Sequence, residues 1–146
     1  MGIRCSCGVS VPIAVAENQE VTFTDGTVRT GTATYTATNV CADTPELGTV
    51  TFTFVDTSGE LPDRSFTFTS TNIDTVTCEL VVEGCVVRVT GTGVVANEGT
   101  FSFLASFQDS PDLINDFIVF TIEGFAVTSG LIMPLPSGSV IAQGCQ

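Results

Sequence analysis

Apolar and polar residues alternate with a period of two along most of this chain, the pattern of strands that bury one face and wet the other. Val21 and Phe23 share one face of an early strand that ends at the turn pair Asp25-Gly26. Thr30, Thr32, Thr34, Thr36 and Thr38 then alternate with Gly31, Ala33, Tyr35 and Ala37. The same grammar returns where Val50, Phe52 and Phe54 sit between Thr49, Thr51 and Thr53, and again, after a loop from Asp56 to Arg64, in Phe66 and Phe68. Phe101, Phe103, Ala105 and Phe107 make another face, as do Ile118, Phe120 and Ile122. With no convincing helical pattern, the expectation is an all-β chain of about 8 to 10 antiparallel strands, packed as a two-sheet, jelly-roll-like β-sandwich.

One hairpin can be registered in detail. If Glu83-Gly84 is its two-residue turn, Val82 pairs with Cys85, Leu80 with Val87 and Cys78 with Val89, giving one apolar face and setting Glu79 opposite Arg88. Cys78 and Cys85 then lie about 13 Å apart by strand rise, too far to bond each other.

The ends follow a different rule. Met1 to Gly8 has no periodicity and carries Gly2, Ser6 and Gly8, so residues 1–10 read as an extended N-terminal arm and residues 11–146 as a single sandwich domain. A chain of 146 residues can fill one core without metal or disulfide support. Arg4 before an apolar stretch and the small-x-small run Ala14-Val15-Ala16 imitate a signal peptide. The intervening residues hold two Cys, two Ser, a Gly and a Pro, so no such peptide is expected. No run approaches the roughly 20 apolar residues of a membrane span.

Composition narrows the chemistry. Sixteen acids against four arginines give a net charge of −12, which repels phosphate backbones and anionic lipid, so neither nucleic acid nor membrane is expected as a partner. The chain has no Lys, His or Trp, which removes imidazole base catalysis, Schiff-base chemistry and the commonest neutral metal ligand. The expectation is a protein that is not an enzyme and holds no cofactor. The acids Asp109, Asp112 and Asp116 offer calcium-type oxygens in a loop between two strong strands, against the plainer reading of a solvated loop with a proline turn; the loop of Asp56, Glu60 and Asp63 is similar. The threonine ladder Thr30–Thr38 is read as the wet face of a strand, with an ordered hydroxyl surface of the ice-binding kind as its alternative.

The six cysteines are unevenly placed. Cys5 and Cys7 lie near the N-terminus, Cys145 is penultimate, and Cys41, Cys78 and Cys85 lie in the body. Their spacing matches no zinc finger or ribbon. Cysteines on extended ends are well placed to reach another molecule, whereas a bond from the arm back to its own domain is the alternative. Six cysteines permit fifteen full pairings, and spacing alone selects none of them.

With its closely spaced arm cysteines, its body cysteines and its all-β alternation, the chain resembles the subunits of bacterial endospore appendages, a family of small β-sandwich pilins. Ser6 separates the two arm cysteines here, where the family usually has them adjacent. The resemblance implies that Cys5 and Cys7 are donors of intersubunit disulfides, with Cys41, Cys78, Cys85 and Cys145 as candidate acceptors. A second, local similarity to β-modules of bacterial surface proteins rests on Gly91-Thr92-Gly93-Val94, Gly99-Thr100-Phe101 with Phe103, and Asp116-Phe117-Ile118 with Phe120 and Ile122. Together these imply a structural subunit of an extracellular filament on a bacterial cell or spore surface. Its partner would be itself, in a helical homopolymer cross-linked through the arm. A monomeric adhesion or carbohydrate-binding module is the alternative.

Overall fold

A computed structural model describes residues 5–82, 84–110, 116–128, 135–136 and 138–145. Nine strands are present among them: β1 (Gly8–Phe23), β2 (Val28–Cys41), β3 (Thr49–Asp56), β4 (Phe66–Val81), β5 (Gly84–Val95), β6 (Gly99–Asp109), β7 (Phe117–Ile122), β8 (Ala126–Thr128) and β9 (Ile141–Gln143). β1 begins at Gly8, inside the stretch expected to be arm.

Each of the first seven strands pairs antiparallel with its successor, and β8 pairs back onto β1 through Val21–Thr128, Thr22–Val127 and Phe23–Ala126. The result is an eight-strand up-and-down barrel, which corrects the expected jelly-roll sandwich. Alternation could not distinguish the two, because a strand shows one buried and one wet face in either. What decides is that neighbours in sequence are neighbours in space and that the first and eighth strands meet, which removes the exposed sheet edges an open sheet would keep. β9 lies beside the start of β1, with Val9 opposite Ala142.

Aromatic rings fill the barrel. Tyr35, Phe52, Phe54, Phe68, Phe107 and Phe120 are almost wholly buried. Phe52 meets Tyr35 edge-on at 4.9 Å between centroids, and Phe103 stacks on Phe120 at 5.6 Å. Such rings need room on the strands they cross. At Gly93 any side chain would collide with the Phe68 ring, and at Gly31 with the Phe54 ring, so glycine admits the aromatic interior at both positions. β1 departs from strict alternation at three register shifts, and Asn18 there has φ 59°. That bulge turns Gln19 inward.

The hairpin of β4 and β5 is displaced by two residues from its expected register. Val81 pairs with Gly84, Leu80 with Cys85, Cys78 with Val87 and Val76 with Val89. Gly84 was expected in the turn, but it has φ 131° and lies where a Cβ would strike the Asp109 carbonyl, so it is packed against β6. A shift of two preserves the faces, and Arg88 still pairs with Glu79, now on the diagonal. The apolar face expected here is not buried throughout: Leu80 is 70% and Val82 102% exposed at the hairpin tip.

Candidate functional site: the disulfide pole and the threonine face

The two ends of the barrel differ in chemistry. All three disulfides lie at the end where β1 and β5 begin and β2 and β4 finish: Cys5–Cys41, Cys7–Cys78 and Cys85–Cys145, with Cα separations of 5.7, 5.9 and 5.5 Å. Expected donors thus meet expected acceptors, but within one chain. Cys85 and Cys145, both expected as acceptors, bond each other. The chain has no free cysteine, so the intersubunit role assigned to Cys5 and Cys7 has no thiol to act through in this arrangement. The physical reason is proximity: the Cys7 carbonyl accepts a 2.8 Å hydrogen bond from the Ala42 N–H, and Gly8 pairs with Cys41, which sets the N-terminal segment beside its own β2.

Asp43 completes this pole. Its carboxylate accepts hydrogen bonds from the Ser6 N–H at 2.8 Å and from the Ser6 hydroxyl at 2.8 and 3.0 Å. These bonds, the backbone one first, hold its pKa below the ordinary carboxylate value. One Asp43 oxygen lies 3.7 Å from Cys41 Sγ. Sequence spacing gave no hint of this contact, because Ser6 and Asp43 are joined only by the β1–β2 pairing. A groove of about 360 Å³ opens beside it, lined in part by Cys5, Asn39, Cys41, Thr44, Leu47 and Ile141.

The expected calcium loop divides. Asp112 lies outside the described residues. Asp116 is 0% exposed, and its two oxygens accept from the Ser110 N–H at 2.9 Å and the Val140 N–H at 2.8 Å. One Asp109 oxygen accepts from the Ala142 N–H at 2.8 Å. Both acids therefore fasten the C-terminal segment to the barrel through backbone N–H groups. Asp56 likewise organises its own loop, accepting from the Ser58 and Arg64 N–H groups at 3.0 and 3.1 Å.

At the opposite pole Phe23, Phe66 and Phe125 cluster, with Phe66 and Phe125 at 4.9 Å and the Arg64 guanidinium 4.1 Å over the Phe23 ring. Arg64 also pairs with Asp25 at 3.0 Å. This aromatic patch went unread in the sequence because its parts come from three separate places, the end of β1, the β3–β4 connection and the β7–β8 turn.

The third feature is the outer face of β2, β3 and β4. Register places Thr34 beside Thr53 and Thr53 beside Thr67, then Thr36 beside Thr51 and Thr51 beside Thr69. Thr38 stands opposite Thr49, and Thr32 opposite Val55. The ladder read on one strand is thus one column of a grid, with columns about 4.8 Å apart and rows about 6.8 Å apart. Thr53 and Thr67 hydroxyls approach to 3.4 Å. No charged side chain interrupts the grid between Thr30 and Thr38, Thr49 and Val55, or Phe66 and Thr71. On a chain of net charge −12 that is a distinctive surface.

Among the described residues no helix is long and apolar enough to cross a membrane. On β2 and β3 the buried residues Ala33, Tyr35, Ala37, Val50, Phe52 and Phe54 alternate with threonines on the outer face. No protein-family model, no curated protein and no solved structure matches the chain.

Proposed function

We propose that the chain is a structural, self-assembling subunit of an extracellular filament or surface layer, and that copies meet through the threonine face. The charge-free face carries this reading. Two copies of net charge −12 repel one another wherever their acids approach, so contact between copies is least opposed where acids are absent. Threonine methyls and hydroxyls can be buried there without desolvating an ion. The disulfides support an oxidising environment, since such bonds persist outside the reducing cytosol. Closure of the barrel changes how assembly would proceed, because strand-edge addition has no long edge to use and the face replaces it.

Intersubunit cross-linking takes a specific form here. Exchange of the segment bearing Cys5 and Cys7 between copies would re-form the Cys5–Cys41 and Cys7–Cys78 bonds in trans with the same local contacts. The second reading, a monomeric binding module, is favoured by the pairing of all six sulfurs within one chain.

Electrophoresis of detergent-boiled protein with and without reductant, beside negative-stain microscopy of the same sample, separates these. Assemblies on the grid with a single 15.2 kDa band in both lanes mean association through the face. A ladder that collapses only with reductant means exchange of the N-terminal segment. A monomer band and an empty grid leave the binding module.

A further inference from the structure

We propose that the reduced chain binds a soft divalent cation of the zinc class through Cys5 Sγ, Cys41 Sγ and the Asp43 carboxylate. One donor atom from each of these three residues lies within 4.8 Å of the other two, and no other such group occurs among the described residues. In particular, neither the Cys7–Cys78 nor the Cys85–Cys145 pair has a third ligand within that reach.

The distances suit the ion. A tetrahedral zinc with sulfur at about 2.3 Å and oxygen at about 2.1 Å needs S···O near 3.6 Å and S···S near 3.8 Å. Cys41 Sγ already lies 3.7 Å from the Asp43 oxygen. Two reduced sulfurs must in any case move apart to non-bonded contact, which is close to the S···S spacing zinc requires. The step is a two-electron one. A dithiol reductant supplies two electrons and two protons to the Cys5–Cys41 bond and becomes a disulfide itself. The two thiols then release their protons as the cation binds, leaving two thiolates and a carboxylate.

The site does not depend on the disulfide for its shape. Asp43 holds Ser6 by three hydrogen bonds of 2.8 to 3.0 Å, and the Ala42 N–H donates to the Cys7 carbonyl at 2.8 Å, so Cys5 stays beside Cys41 once the S–S bond is gone. The adjoining groove, which both cysteines line, gives the ion an entry path and leaves room for water as a fourth ligand. A cation held there would keep Cys5 and Cys41 paired, and away from the other four thiols, until oxidation displaces it. This inference is independent of how copies assemble.

The test is a cobalt(II) titration of the full chain, reduced with a dithiol, desalted without oxygen and followed by thiolate-to-cobalt absorption, with zinc used to displace the cobalt. One equivalent is expected in the wild type and in a Cys85→Ser/Cys145→Ser variant. The signal should vanish in Cys5→Ser and in Cys41→Ser. Asp43→Asn should weaken binding by at least the roughly tenfold that even an outer-shell change costs. Circular dichroism of the same samples reports the fold. Absence of stoichiometric binding, binding that survives loss of Cys5 and Cys41, an unchanged affinity in Asp43→Asn, or a reduced chain without its sheet signal would each overturn the proposal.

Discussion

Replacing Asp116 with asparagine isolates what this buried acid does. Its carboxylate has no solvent contact and joins two places distant in sequence, the end of β6 through the Ser110 N–H and the C-terminal segment through the Val140 N–H. Its backbone also exchanges hydrogen bonds of 3.1 and 3.0 Å with Leu135, itself buried. Asparagine keeps one acceptor oxygen but turns an NH₂ group toward the other backbone N–H. One charge-assisted bond is lost, worth about 1.5 to 3 kcal/mol, and two buried donors then face each other at a cost of about 1 to 3 kcal/mol. Relief of the buried negative charge offsets part of this. The expected net destabilisation is about 3 kcal/mol, read from guanidinium unfolding in the presence of a calcium chelator and again with added calcium. The two values should agree. If Asp116→Asn unfolds like the wild type in chelator, and only abolishes a stabilisation that calcium gives the wild type, Asp116 is a cation ligand and the fastening role assigned to it is wrong.

Three further outcomes follow from the same physics. Among the described residues the buried Tyr35 hydroxyl has no hydrogen-bond partner, and burial pushes its phenol well above the usual value; Tyr35→Phe should therefore raise stability by about 1 kcal/mol, and a loss of that size would show that the hydroxyl is satisfied. Removing the Cys85–Cys145 bond, which spans 60 residues of sequence, should lower unfolding stability by about 4 kcal/mol on the chain-entropy estimate, while the Asp116 and Asp109 bonds keep β9 in place. A drop below about 1 kcal/mol would contradict the bond's assigned role. Asp25 has its pKa lowered to about 2, first by the Thr27 N–H and then by the Thr27 side chain and Arg64. Because the folded value is the lower one, this contribution is complete above the unfolded value near 3.9 and disappears as pH falls through about 2. An NMR titration of Asp25 should find that low midpoint, and Asp25→Asn should flatten the acid limb of stability across this window.

Strand content was legible because alternation is a local property: the inward residues Val21, Ala33, Phe52, Phe68, Phe103 and Ile118 all carry it. Closure was not legible, since it rests on β8 returning to β1, and Ala126–Thr128 is too short to announce a strand by pattern. The β4–β5 register was misplaced for a similar reason. Gly84 carries a turn-like residue type, yet its neighbour across the sheet, Asp109, is what demands glycine. Cysteine pairing depended on which strand ends share a pole, which spacing does not encode. The partners of Asp109 and Asp116 were not legible because the N–H groups of Ala142 and Val140 come from the far end of the chain. The threonine column on β2 was visible, but its extension into a grid required the register of β3 and β4.

The central claim is that copies associate through that grid, and the most direct measurement is the light-scattering mass of the oxidised protein over a range of concentrations, wild type against Thr51→Glu. Thr51 sits mid-grid between Thr36 and Thr69, so one added carboxylate per copy sets like charges against each other at the contact. The account predicts a wild-type mass that rises with concentration above 15.2 kDa and a variant that stays at it. A wild type that is monomeric throughout, or a variant that assembles equally well, would contradict it.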